Sequence, residues 1–325
     1  MNVKLKKQIN THKIILSFFI SFMILYYVFS KISLTTIIEN AKSLNITYFI
    51  ISIILFYLAF PIRALRWKIM LENTKIKTKY DGLTEIIFLS WFVNSIIPAK
   101  FGDFYRAHAL KKKEGFKRTH ILGTIFAERA IDILFLFLLS GVLSATFISN
   151  KIINGINIIY FGIFGSLLFL IVLIIIKYKK KRILFFVPKQ LKTHAHDFFK
   201  SLNQTLNLKT APNIFLMTTI IWLFESMCFY FVVLSLNIAL PITIIIAIAL
   251  AGILLTAIPL TPAGLGAVEV GMLGLFIAVG VAQPIAITAI FFYRIITYWS
   301  LVIFGAIDYL INLIFFRRTK QYNII

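Results

Sequence analysis

IFLMTTIIWLFESMCFYFVVLSL, residues 214–236, carries a single charged residue, Glu225, in 23 positions. That length and composition match the roughly 20 apolar residues a helix needs to cross about 30 Å of hydrocarbon. Runs of the same character occupy residues 14–29, 46–62 and 155–176. A β-barrel would instead show segments of about 10 residues alternating apolar with polar, and none of these runs alternates. The fold class is therefore an all-α polytopic membrane protein. Of 325 residues, 60% are hydrophobic and only 14% charged, which is the balance of a membrane chain.

The net charge of +22 is a first cue for nucleic acid, but its placement argues against that partner. Lysines and arginines number 4 in residues 1–13, 6 in 63–82, 7 in 100–120, 9 in 177–211 and 3 after Phe316; only Lys31, Lys42 and Lys151 lie in the other connections. This partition is the positive-inside bias. It predicts a multi-pass protein of the cell membrane with both termini and the basic segment 177–211 in the cytoplasm, and membrane lipids as its partners. No small-residue cleavage site follows Phe29, so the first run reads as a retained helix rather than a secretory signal. Cys228 stands alone inside an apolar run, which excludes a disulfide framework and a cysteine metal site. His194 and His196 form a lone H-x-H in a basic segment, too little for a metal. There is no phosphate loop, nucleophile elbow or zinc helix, so neither ATP-driven pumping nor any cofactor is expected.

Residues 83–99 lie between two basic segments that both belong inside, and at 17 residues with Asn94 and Pro98 near the end they read as a re-entrant hairpin. Spans are predicted at about 121–148, 155–176 and 212–236. A second hairpin, 242–258 and 267–281 around a break at 259–266, enters from outside or else forms two full spans. A long helix over about 284–316 follows. The total is six to eight transmembrane helices in a single domain over residues 1–325.

Pro98-Ala-Lys-Phe-Gly102 matches Pro262-Ala-Gly-Leu-Gly266 at three of five positions; Arg129 follows Pro98 by 31 residues and Arg294 follows Pro262 by 32. Two halves, about 14–148 and 155–316, are thus expected to form an inverted repeat, the arrangement that brings broken helices together in secondary transporters.

Arg129 and Arg294 are the most informative residues. An arginine at membrane depth costs at least about 2.5 to 3.5 kcal/mol and keeps its charge. It is held either by an anionic ligand, such as a lipid phosphate gripped by two parallel hydrogen bonds, or by an ion pair with Glu128, Asp132, Glu225 or Glu269. Glu128 and Asp132 share a helix face, with Arg129 in reach of Asp132; two acids beside one arginine leave one carboxylate underpaired and able to carry protons. The two proline-glycine breaks, with Gly102, Gly264 and Gly266, free backbone amides for an anion, and Asp103 and Glu269 would line the same place. They also read as tight turns in packed hairpins. Arg63, Arg66 and Trp67 read either as interfacial anchors or as a collector of lipid headgroups.

Taken together, Arg63-Ala-Leu-Arg66-Trp67, Asn94-Ser-Ile-Ile-Pro98-Ala-Lys-Phe-Gly102-Asp103 with Arg106, Glu128-Arg129 with Asp132, Pro259-Leu-Thr-Pro262-Ala-Gly264-Leu-Gly266 with Glu269, and Tyr293-Arg294 span most of the chain. In these motifs the chain resembles the flippase-like membrane proteins typified by the N-terminal transmembrane region of lysylphosphatidylglycerol synthase. The resemblance implies movement of a lipid with a polar headgroup between leaflets. It does not imply aminoacyl transfer, which in the synthase belongs to a soluble C-terminal domain, whereas this chain ends at Ile325 just after the last helix. Two expectations stand: a lipid flippase whose cleft holds a phosphate on Arg129 and Arg294, and a membrane-embedded lipid-modifying transferase with Asp103 or Glu269 as general base.

Overall fold

The computed structural model describes residues 23, 34–76, 78, 82–149, 164–165, 167, 171, 185, 187–257 and 261–316. The spans predicted at 14–29 and 155–176 lie outside these residues, apart from five isolated positions. Every regular element among the described residues is helical. In chain order they are α1 Leu34–Lys42, α2 Ile46–Asn73, α3 Leu83–Ile96, α4 Phe101–Glu114, α5 Arg118–Ser149, a 3-10 turn Lys189–Leu191, α6 Lys192–Thr205, α7 Ala211–Ser235, α8 Ile242–Ala257, a 3-10 turn Pro262–Gly264, α9 Ala267–Ala278, α10 Gln283–Arg294, a π-helical turn Ile295–Ser300, and α11 Leu301–Phe316.

Among the described residues three helical stretches are long and apolar enough to cross a bilayer: Ile46–Asn73, Ala211–Ser235 and Gln283–Asn312. Their exposed faces are greasy. On α2 the outward positions include Ile46, Ile50, Ile54, Leu58 and Leu65, and on α11 Ile303, Ile307, Leu310 and Ile314. The inward face of α2, by contrast, carries Ser52, Arg63 and Arg66 among its buried residues. A soluble helix has the opposite polarity; this one is arranged for hydrocarbon outside and polar contacts within. Shorter apolar helices accompany the long ones, notably α3 with 14 residues, α8 with 16 and α9 with 12.

Two segments read as connections are helical. The arginine-rich end of the second run continues α2 to Asn73, and most of residues 100–120 form α4 and the start of α5. Within the basic segment 177–211, α6 buries Ser201, Leu202 and Thr205.

The chain divides into two compact units, each drawing on both sequence halves: Met1–Phe56, Trp91–Phe101 and Glu225–Phe304 form one, and Tyr57–Ser90, Gly102–Phe224 and Gly305–Ile325 the other. In the first unit α8 and α9 form a close hairpin. A Cβ added at Gly252 would lie 2.7 Å from Met272 Sδ, so glycine permits the approach. Phe229 packs edge-on to Tyr293 with ring centroids 4.9 Å apart, and Asn40 Nδ2 donates to Thr288 Oγ1 at 3.0 Å, joining α1 to α10. The second unit is centred on Trp67, Met70, Leu71, Leu83, Ile87 and Leu110, all buried. There α6 lies against α5: Ser201 Oγ donates to the His120 carbonyl at 2.6 Å, and Phe126 meets Phe198 edge-on at 5.7 Å.

Gly264 in the second break has φ +70°, and a Cβ there would come within 2.8 Å of Val268 Cγ2 and 3.1 Å of Thr256 Cα. Gly264→Ala is expected to cost about 1 to 2 kcal/mol, because the left-handed backbone and the approach to α8 both oppose a side chain. Gly274→Ala, a helical site with nothing within 4 Å, should be neutral or stabilise by up to about 1 kcal/mol. Thermal unfolding in detergent reads the two opposite signs.

Candidate functional site

The second unit holds an interior network of arginines and carboxylates. Arg66, from α2, donates to both oxygens of Asp132, at 2.6 and 3.0 Å, to Glu128 at 3.2 Å and to Thr218 Oγ1 at 2.9 Å. Arg106, from α4, grips Glu128 with two bonds of 2.6 and 3.2 Å and stacks on the Trp67 ring at 3.6 Å. Trp222 Nε1 donates to Asp132 at 3.2 Å, and Trp67 Nε1 to Thr124 Oγ1 at 3.1 Å. Arg63 lies over Phe60 and Trp222.

The helical repeat explains this convergence. Residues 63, 66, 67 and 70 fall on the inward stripe of α2, while Glu128 and Asp132, one turn apart on α5, present both acids to it. Both acids are therefore fully engaged. The expectation that one carboxylate would be left underpaired is corrected, because Arg66 and Arg106 arrive from other helices. Arg63, Arg66 and Trp67 are not interfacial anchors either: they are 3%, 1% and 0% exposed.

Arg129 turns away from Asp132. Its Nε and Nη2 hold Asp103 at 3.2 and 2.8 Å, closing a bidentate clamp between α5 and α4. In the first unit Arg294 Nε donates to Glu269 Oε1 at 2.5 Å and Nη2 to the Ala263 carbonyl at 3.1 Å, and Glu269 Oε2 accepts the Gly266 N–H at 2.6 Å. Glu269 thus caps the helix end that frees the amides, in the manner of a capping box, and Arg294 ties both sides of the break. The π-helical turn begins directly after Arg294.

The two breaks repeat one device. Asp103 and Glu269 are each the third residue of the outgoing helix, and each is held by an arginine 26 or 25 residues farther on. After each proline the next two residues are left-handed: Ala99 and Lys100 at φ 63° and 57°, Ala263 and Gly264 at 46° and 70°. An alanine there costs about 1 to 2 kcal/mol, so the surrounding contacts must impose the conformation. Lys100 Nζ donates to the Thr256 carbonyl at 2.8 Å, tying the first break to the end of α8 within one unit. Gly102 is buried beside Asp103. In the second unit Arg106, which the sequence offered only within a motif of the family resemblance, and Thr218, which it did not single out, complete the polar set.

Access separates these pairs. The side chains of Arg129 and Asp103 are 27% and 14% exposed, whereas those of Arg294 and Glu269 are 6% and 1% and those of Arg106 and Glu128 1% and 2%. Glu128→Gln removes the shared partner of two buried guanidiniums and is expected to destabilise the protein by about 3 to 5 kcal/mol in detergent unfolding. Lys117→Ala, which breaks an exposed pair with Asp197, should change it by less than about 1 kcal/mol.

A family model described as the lysylphosphatidylglycerol synthase TM region matches residues 14–305. A UPF0104 membrane protein of Methanocaldococcus jannaschii is 35% identical over 222 residues, covering 68% of this chain and 94% of that protein. Another, from Pyrococcus horikoshii, is 22% identical over 298 residues, covering 82% of this chain and 88% of its own length. A shorter match, 28% identical over 89 residues, relates 27% of this chain to 14% of the glycosyltransferase AglD of Haloferax volcanii. With the family model covering most of its length, the chain belongs to the lysylphosphatidylglycerol synthase transmembrane-region family of integral membrane proteins.

Proposed function

We propose that this protein moves a phospholipid, or another lipid with an anionic headgroup, between leaflets of the cell membrane. The observation that carries the reading is the Arg129–Asp103 clamp: a guanidinium at a helix break, held bidentately, with a quarter of its side-chain surface accessible. A phosphate presents the same two-oxygen edge as a carboxylate, so the geometry that holds Asp103 also suits a headgroup. Arg294 with Glu269, Gly264 and Gly266 forms the second copy of the device, in which the headgroup's counterpart is an internal acid. Arg66, Glu128 and Asp132 hold the helices that present Arg129.

Helix lengths support the matching topology. At 1.5 Å per residue α3, α8 and α9 reach about 21, 24 and 18 Å, short of about 30 Å of hydrocarbon. Two re-entrant hairpins in a single transmembrane domain, inverted between halves 14–148 and 155–316, account for that shortfall and for six to eight spans with both termini and segment 177–211 cytoplasmic.

A second reading, a transferase acting on a lipid-linked donor with Asp103 or Glu269 as base, is favoured by the partial similarity to a protein named as a glycosyltransferase. It requires a covalently altered lipid in membranes of expressing cells, which translocation alone does not produce.

In vesicles containing a fluorescent phosphatidylglycerol, Arg129→Gln and Arg294→Gln should each slow headgroup exchange between leaflets at least about tenfold, the scale expected when a charged, bidentate contact is lost. Exchange unaltered in both variants overturns the proposal.

A further inference from the structure

We infer that the exposed side of the α4–α5 hairpin carries a docking surface for an anionic phospholipid: Lys111 and Arg118, with His108 between them, take the phosphate, and the chains lie along Phe104, Leu122 and Phe126. The inference rests on the headgroup reading above for its place on the lipid's route, and adds where the lipid is held before it reaches Arg129.

Helix register lays out the surface. α4 and α5 run antiparallel, and their cross-contacts keep step: Asp103 meets Arg129, Arg106 meets Glu128, and His108 meets Arg118. Arg118, Leu122, Phe126 and Arg129 recur every three or four positions and so share one face of α5. None of these four is buried, whereas Ile121, Thr124, Ile125, Ala127 and Glu128, on the other faces, all are. On α4 the corresponding stripe is Phe104, His108 and Lys111, unburied beside the buried Arg106, Ala107, Ala109 and Leu110. Phe104 and Phe126 are 57% and 42% exposed. The surface is therefore cationic at one end and apolar along its middle, with the Arg129–Asp103 clamp at the other end. From Arg118 to Arg129 the helix rises about 16 Å, half of about 30 Å of hydrocarbon. With Arg118 at the interface, Arg129 lies near the midplane, and the strip between them is one leaflet deep.

Charge then selects the ligand. Arg118 Nη2 donates to His108 Nδ1 at 2.5 Å, so the imidazole accepts there and is neutral. Burial, together with Arg118, Lys112 and Lys111, holds this imidazole below its ordinary pKa. The acids of the surrounding elements are engaged elsewhere: Glu114 of α4 accepts from Thr78 Oγ1, and Asp197 of α6 from Lys117. Among the described residues neither Lys111 nor Arg118 forms an ion pair. A guanidinium bonded to a neutral ring, with ammonium groups close by, keeps donors for a phosphate. A phospholipid matches both ends of the surface, with its phosphate on the cations and its chains on the phenylalanines.

The test replaces Phe126 of the full chain by the photoreactive benzoylphenylalanine. The protein is reconstituted in vesicles of equal phosphatidylglycerol and phosphatidylcholine, irradiated, and its lipid adducts are weighed by mass spectrometry. At low salt phosphatidylglycerol adducts should outnumber phosphatidylcholine adducts at least about fivefold, the scale of one or two cations acting on an anionic lipid. At 1 M salt, where charges are screened beyond about 3 Å, the ratio should fall near one. Lys111→Gln combined with Arg118→Gln should remove the preference at low salt. The same label at Leu223, an exposed position on α7, should show none. A ratio near one at position 126 at low salt overturns the docking surface, as does a preference that survives 1 M salt or the double substitution, or one that is equalled at position 223. The salt and position-223 measurements decide even if the double variant does not fold. The headgroup reading fails separately: leaflet exchange unaltered by Arg129→Gln, with the preference at position 126 intact, overturns passage by Arg129 and leaves the docking surface standing.

Discussion

A guanidinium cannot surrender its charge, so an arginine placed at membrane depth obliges the fold to bring an acid to it. Much of the described interior follows from that obligation. Arg66, Arg106 and Arg129 draw α2, α4 and α5 around Glu128, Asp132 and Asp103, and Arg294 fastens α10 to the start of α9 through Glu269. Apolar burial offers little drive for helix association when lipid is as apolar as leucine, so directional polar bonds and close packing at glycine acquire the specifying role.

The breaks show how such a network can be both rigid and poised. Left-handed alanines at equivalent positions after Pro98 and Pro262 are conformations a free chain avoids. They persist because an acid in the first turn of the following helix is locked to an arginine far along the sequence. Such an acid favourably meets the positive end of the helix dipole and satisfies its clamp at once. At the second break the capped Gly266 amide and the Ala263 carbonyl add two further ties, and the clamp is sealed. The first clamp is the more open of the two.

Much of this was legible along the chain. Residues 214–236 announce a membrane helix through length and composition alone, and the placement of lysine and arginine follows the same physics. The motifs around Pro98 and Pro262, with an arginine about 31 residues on, pointed to two breaks of like local geometry because each keeps the same spacing to its arginine. Glu269 was among the partners expected for Arg294. Asp103 as the partner of Arg129 was not, because Asp132, three residues away on the same helix, was the nearer choice by local geometry.

What the sequence by itself determined is what depends on local composition: helices that tolerate hydrocarbon, breaks where proline and glycine forbid continuation, and acids and arginines within apolar helices in need of partners. What only the tertiary structure decided is who pairs with whom. Arg66 and Arg106 look like members of basic connecting segments until α2 is seen to run on to Asn73 and α4 to form at all. Ion pairing acts across space between residues 22 to 66 positions apart, and no periodicity along one helix encodes which distant side chain will fill the second oxygen of a carboxylate.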